Sequence, residues 1–148
     1  MGNKAFKTLE FNKILERAAA FTENEDVKKR ILSTEPYTEL DKAKAAQRET
    51  TEAVSASLKL GNPPVSLSVK NVLGSVKRAE KGASLSAADL LACARLLYVA
   101  RRVKSYLGEV AADCTILHDF EEGLITAKTV EERISGAILS EDEIADDA

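Results

Sequence analysis

Residues 86–110, SAADLLACARLLYVARRVKSYLGEV, restrict the fold more than any other part of this 148-residue chain. Ser86 fits an N-cap with Asp89 at the third helical position, and Leu85 and Leu90 occupy the two positions of a hydrophobic staple. The spacing predicts a helix over about 87–110. Its apolar stripe changes sides: Leu90, Cys93, Ala94 and Leu97 point one way, whereas Leu96, Val99, Val103, Tyr106, Leu107 and Val110 point nearly the opposite way. A helix that is apolar on two faces has neighbours on two faces, or leaves one bare. The first face is expected to pack on the first and fourth helices of the chain. Part of the second (Val99, Val103, Tyr106, Val110) is expected to be exposed in the monomer or held in a chain–chain contact. Arg95 and Arg102 share a third, polar face.

The rest of the chain reads as helices with clear punctuation. In TLEFNKIL, residues 8–15, Thr8 fits an N-cap and Glu10 the first turn, and Phe11, Ile14, Leu15, Ala18 and Phe21 fall on one stripe. Thr22-Glu-Asn-Glu25 reads as a capping box that starts a second helix, with Val27 and Ile31 inward and a stop at Pro36. Thr38 and Asp41 start a third helix of about 22 residues, closed by Gly61 and followed by Pro63-Pro64. Its inward face is thin: Leu40, Ala43, Ala46, Ala53, Val54 and Leu58. Residues 61–68 form a linker, and a fourth helix is expected over about 69–81, ending at Gly82. Past Gly108, short helices are expected near 115–122 and 127–139. The acidic end, SEDEIADDA, is expected to be extended and held by nothing inside the fold, because one apolar side chain offsets little ordering cost.

Ala and Leu supply most of the apolar surface, and aromatics are only 5% with no Trp. That favours helix packing over a sandwich or barrel. The expected fold class is all-α, six or seven helices in a bundle or array, forming a single helical domain over residues 1–148. The net charge of −3 hides a division. Residues 70–104 carry eight basic and two acidic side chains, net +6, and residues 105–148 carry two basic and twelve acidic, net −10. The basic middle either faces the acidic end in the fold, stands as a solvated surface, or forms a phosphate-binding face. Cys93 and Cys114 lie 21 positions apart without a CxxC pair, which implies a reduced, cytoplasmic setting rather than a disulfide scaffold. No apolar run is long enough to span a membrane.

The chemistry on offer is sparse. His118 is the single histidine, and with Cys114 and Asp119 it lacks a further ligand at metal-binding spacing. Glu121-Glu122, Glu131-Glu132 and Asp146-Asp147 are adjacent pairs, which diverge on a helix rather than converge as an acid/base couple. No GxxxxGK[ST], GxGxxG, GxSxG or HExxH occurs. The expectation is a chain without catalytic, cofactor-binding or metal-ligating residues. Candidate nucleic-acid contacts are Lys77, Arg78 and Lys81 at the end of the fourth helix and Arg101, Arg102 and Lys104 in the fifth. Only Tyr98 and Tyr106 lie near them for stacking.

Several stretches follow in an order that resembles the amino-terminal region of the MutS-II family, the second-type bacterial MutS paralogues. They are TLEFNKIL at 8–15, the Glu35-Pro36 stop, the long helix closed by Gly61 and Pro63-Pro64, KRAEKGASLSAADLL at 77–91, and YVARRVKSYL at 98–107. The resemblance runs from about residue 8 to residue 147. TENEDVKK after Phe21 departs from it, where the family pattern has a glycine. The resemblance implies a segment of a dimeric ATPase with a helical core or lever, a coiled-coil clamp, an ATPase domain that uses ATP and Mg, and a C-terminal Smr nuclease domain. Branched-DNA binding, suppression of recombination and rescue of collided ribosomes go with that family. The chain would be the first half of the core, partnered by the clamp helices and ATPase domain of the same polypeptide, with DNA or the ribosome as outer partners and no membrane. The Walker and nuclease motifs match no position here, so no catalytic residue carries over. The competing reading is a free-standing helical adaptor or nucleic-acid-binding module that uses the basic 70–104 block.

Overall fold

The computed structural model describes residues 10–110, 114–141, 143 and 145. Among these, seven α-helices are the regular elements: α1 Phe11–Ala19, α2 Glu25–Leu32, α3 Leu40–Leu60, α4 Leu73–Glu80, α5 Ala87–Gly108, α6 Thr115–Gly123 and α7 Lys128–Ala137. The all-α expectation holds. None of these helices is long and apolar enough to cross a membrane. The helices divide into two compact units, Met1–Glu39 and Leu40–Ala148.

The first unit is a pair, α1 against α2. Thr8 lies outside the described residues, and the residue that caps α1 is Glu10, in the left-handed region at φ 53°. No side chain caps that end, and Glu10 instead pairs with Lys13 at 2.6 Å. Phe11, Leu15 and Ala19, spaced by four, form the covered side of α1, while Ile14 and Phe21 of the expected stripe are exposed, Phe21 at 92%. The expected Thr22–Glu25 capping box is not made. Asn24 takes the N-cap of α2, its Oδ1 accepting from Asp26 N at 3.0 Å and Val27 N at 3.1 Å, and Thr22 Oγ1 accepts from Asn24 N at 3.2 Å. The shorter Asn side chain reaches the free N–H groups directly, which leaves Thr22 one turn too early. α2 closes at Leu32, before Pro36, where the Ser33 and Thr34 hydroxyls both donate to the Arg30 carbonyl.

The second unit is organised around α5. It packs on α7 and α6, and α3 packs on α6. The capping box of Ser86 and Asp89 is present as the sequence predicts. α3 ends at Gly61, whose φ of 77° only glycine adopts freely, and Gly61 N donates to Ser57 O at 2.9 Å. The expected inward face of α3 is rotated. Ala56 is buried and Glu52 and Leu60 are half-buried, whereas Leu40, Val54 and Leu58 are exposed, Leu58 at 83%. α4 starts at Leu73 rather than near 69, where Asn71 Oδ1 accepts from Leu73 N at 3.0 Å.

Burial overturns the expectation of a bare second face on α5. Val99 and Tyr106 are buried, and so is Val110 just beyond the helix, at 1% exposure, with Val103 half-buried. Cover comes from elements within this chain: Val110 clusters with Ala56 of α3, Cys114 and Leu117 of α6, and Leu60 and Leu107 pack against them. The acidic end also departs from expectation where it is described. Leu139 N donates to Glu143 O and Ala145 N to Ala137 O, both at 2.9 Å, so the chain past α7 turns back onto the helix end.

Candidate functional site in the basic block

The six candidate contacts separate once their partners are known. On α4, Lys77 and Lys81 are exposed. Arg78 turns toward α5, where its Nη2 donates to Asp89 Oδ2 at 2.8 Å. Asp89 is the hub of that junction. Its carboxylate also accepts from the Ser75 hydroxyl at 2.6 Å and from the Ser86 hydroxyl at 2.9 Å. These hydrogen bonds, Ser75 first, then Ser86 and Arg78, outweigh burial and hold its carboxyl well below the usual carboxylate range.

On α5, Arg101 forms a two-pronged pair with Glu131 of α7, Nε to Oε2 at 2.9 Å and Nη2 to Oε1 at 2.7 Å. Glu131 is the one residue with a charged side chain that is buried among the described residues. The Arg101 hydrogen bonds lower its pKa against the opposing effect of burial, and Glu131 raises that of Arg101 in turn. Lys104 Nζ donates to the carbonyls of Glu121 at 2.9 Å and Leu124 at 3.0 Å and lies 3.3 Å from the Glu121 carboxylate. Those carbonyls belong to the last turn of α6 and the residue after it, which lack intrahelical partners and carry the negative end of the helix dipole. Three of the six cations, Arg78, Arg101 and Lys104, thus hold helices together. The basic middle meets the acidic end in the fold. Arg102 is half-buried, and its Nε is enclosed with no hydrogen-bond partner.

Two further polar anchors escaped the sequence reading. Glu52 of α3 accepts at Oε2 from Ile116 N at 2.8 Å and Leu117 N at 3.1 Å. Tyr106 donates its hydroxyl to the Gly61 carbonyl at 2.7 Å. Both link residues at least 45 positions apart, so no local pattern announces them.

His118 lies on α6 with Nδ1 3.6 Å from Glu121 Oε2 and Nε2 3.7 Å from Glu122 Oε1. Cys114, which the sequence places near it, is instead part of the apolar cluster with Val110. Among the described residues no group of three or more His, Cys, Asp or Glu side chains is placed to hold a metal ion.

No family model matches the chain, and no solved structure matches it. Curated relatives do. The chain is 37% identical over 150 residues to the endonuclease MutS2 of Clostridium perfringens, 39% over 151 residues to that of Agathobacter rectalis, and 35% over 151 residues to that of Acetivibrio thermocellus. Each match takes in 100% of this chain and 19% of the relative. The resemblance read from the motif order therefore holds: along its whole length the chain matches about a fifth of the MutS2 endonucleases, the MutS-II family.

Proposed function

We propose that this chain is a non-catalytic helical core, or lever, segment of a MutS-II protein, the first half of that core, coupling nucleotide state to clamp position. The observation that carries the reading is the match itself, which uses all of this chain but 19% of each relative. The disposition of α5 supports a lever. Its 22 residues span about 33 Å at 1.5 Å per residue. Polar anchors pin it near its start (Asp89), in its second half (Arg101, Lys104) and in its last turn (Tyr106). A helix fixed at several points moves as one piece, which is what transmitting a displacement requires.

On this reading residues 1–148 act as a single helical domain, and catalysis belongs to parts of the full-length protein that these residues do not supply. That protein would be a cytoplasmic homodimer with an ATPase domain that uses ATP and Mg and a nuclease domain. It would act on DNA or the ribosome, in recombination suppression or ribosome rescue. Reading the gene onward past Ala148 tests this: an open frame with a GxxxxGK[ST] motif is expected, and a frame without one removes the reading. The chain alone is expected to hydrolyse neither ATP nor DNA. Turnover that survives purification and is lost on a point substitution within the chain would also remove it.

A further inference from the structure

We propose that the face of α5 bearing Arg95, Tyr98 and Arg102 docks a helix that carries carboxylates. Spacings of three and four place these residues on one stripe, and seven residues set the two guanidinium-bearing positions about 10 Å apart along the axis. The Tyr98 ring lies between two cations, with the Arg95 guanidinium 5.6 Å and that of Arg101 5.5 Å from its centroid. Arg101 directs its Nε and Nη2 at Glu131. Arg95 is exposed and gives an N–H to the Ser66 carbonyl at 3.2 Å, which leaves most of its fork open.

Arg102 is the unusual member. The other cations of α5 (Arg95, Arg101, Lys104) each donate to an acceptor within the chain, whereas the enclosed Nε of Arg102 donates to none. An enclosed donor left unpaired is costly, and a carboxylate is the acceptor that fits a guanidinium fork on two N–H groups at once. A partner helix with carboxylates about two turns apart matches Arg95 and Arg102 together. A nucleic acid is the poorer match: tight binding there draws on many phosphate contacts, and Arg78, Arg101 and Lys104 are already engaged.

The test uses the 148-residue chain with three probes: a blocked alanine-based helical peptide with glutamates seven positions apart, the same peptide with glutamines, and a single-stranded DNA of similar length. Binding is measured by calorimetry or by chemical-shift changes at the Arg side-chain N–H groups. The glutamate peptide is expected to bind at least tenfold more tightly than the glutamine peptide. Arg102→Gln should lose at least tenfold, and Arg102→Lys a comparable amount, because lysine keeps the charge but not the fork. Arg95→Gln gives an independent reading should an Arg102 variant fail to fold. No binding of the glutamate peptide at millimolar concentration, or equal binding by wild type and variants, overturns the proposal. DNA bound more tightly than the glutamate peptide in an Arg102-dependent way overturns it in favour of a nucleic-acid surface.

Discussion

The Glu52 carboxylate receives the backbone N–H groups of Ile116 and Leu117, at 2.8 and 3.1 Å, across a separation of 64 and 65 residues. α6 has Cys114 at its N-cap with no side-chain cap of its own. A residue of α3 therefore supplies what Ser, Asp or Asn ordinarily supplies locally, and its negative charge meets the positive end of the helix. The same contact sets the rotation of α3, because turning Glu52 toward α6 brings Ala56 and Leu60 inward and leaves Val54 and Leu58 outside.

Removing that cap should loosen α6 and its grip on α3 together. Glu52→Ala is expected to cost about 1–2 kcal/mol, as loss of an N-cap does. Glu52→Gln, which keeps an acceptor oxygen but not the charge, should cost less. Thermal unfolding followed by circular dichroism checks the order. Equal melting temperatures for wild type and Glu52→Ala would mean that the contact contributes nothing.

Acid should weaken the fold through Glu131 and Asp89. Both carboxyls have folded pKa values below their ordinary ones. Their contribution is therefore fully present above the unfolded value, about 4, and is lost as pH falls through the folded values. Melting temperature is expected to fall steadily below about pH 4. Glu131→Gln should flatten part of that dependence while lowering stability at pH 7, since Arg101 loses its carboxylate. A variant with the same acid slope as wild type would detach the pair from the effect.

The two thiols should differ in reactivity. Cys114 is buried in the cluster with Val110 and Leu117, while Cys93 is half-buried. Burial pushes the Cys93 thiol above its usual pKa, with Asp89 adding to the shift, so it too is a weak nucleophile at neutral pH. With a chromogenic disulfide reagent, Cys93 should react slowly in the folded chain and Cys114 only on unfolding. Fast modification of Cys114, identified by mass spectrometry of peptides, would contradict its place in the core.

What the sequence revealed follows the range of the interactions involved. Helices α3 and α5 were legible because their signals are local: Ser86 with Asp89 at the start of one, Gly61 at the end of the other. The start of α2 was misplaced by two residues because Thr22 and Asn24 compete for the same role, and only backbone geometry decides between them. Glu52, Glu131 and Tyr106 were not legible. Each acts on a partner at least 30 positions away, and a Glu on a helix surface looks alike in sequence whether it faces water or Arg101. Net charge by block did foretell that the middle would meet the end, since Arg101 and Lys104 pair with Glu131 and Glu121.

The second face of α5 gives the sharpest test of where the core lies. Periodicity assigned Val99, Val103, Tyr106 and Val110 to one side but could not say what covers it. With Val99 at 5% and Val110 at 1% exposure, that side is interior, and α6 and α7 pack on the helix itself. A charge placed there has no partner and loses its hydration, a cost of several kcal/mol. Total stability for a domain of this size is about 5–15 kcal/mol. Val99→Asp is therefore expected to abolish cooperative unfolding at 25 °C. Val110→Ala, which removes two methyl groups from the Ala56–Cys114–Leu117 cluster, should cost about 1–3 kcal/mol and leave the fold intact. Val103→Asp should fall between the two, since that side chain is half-buried and its carboxylate can reach water. Circular dichroism and urea titration of the three variants give the ranking directly. A Val99→Asp chain that folds with near wild-type stability would show this face open to solvent and would return α5 to a helix with one side bare.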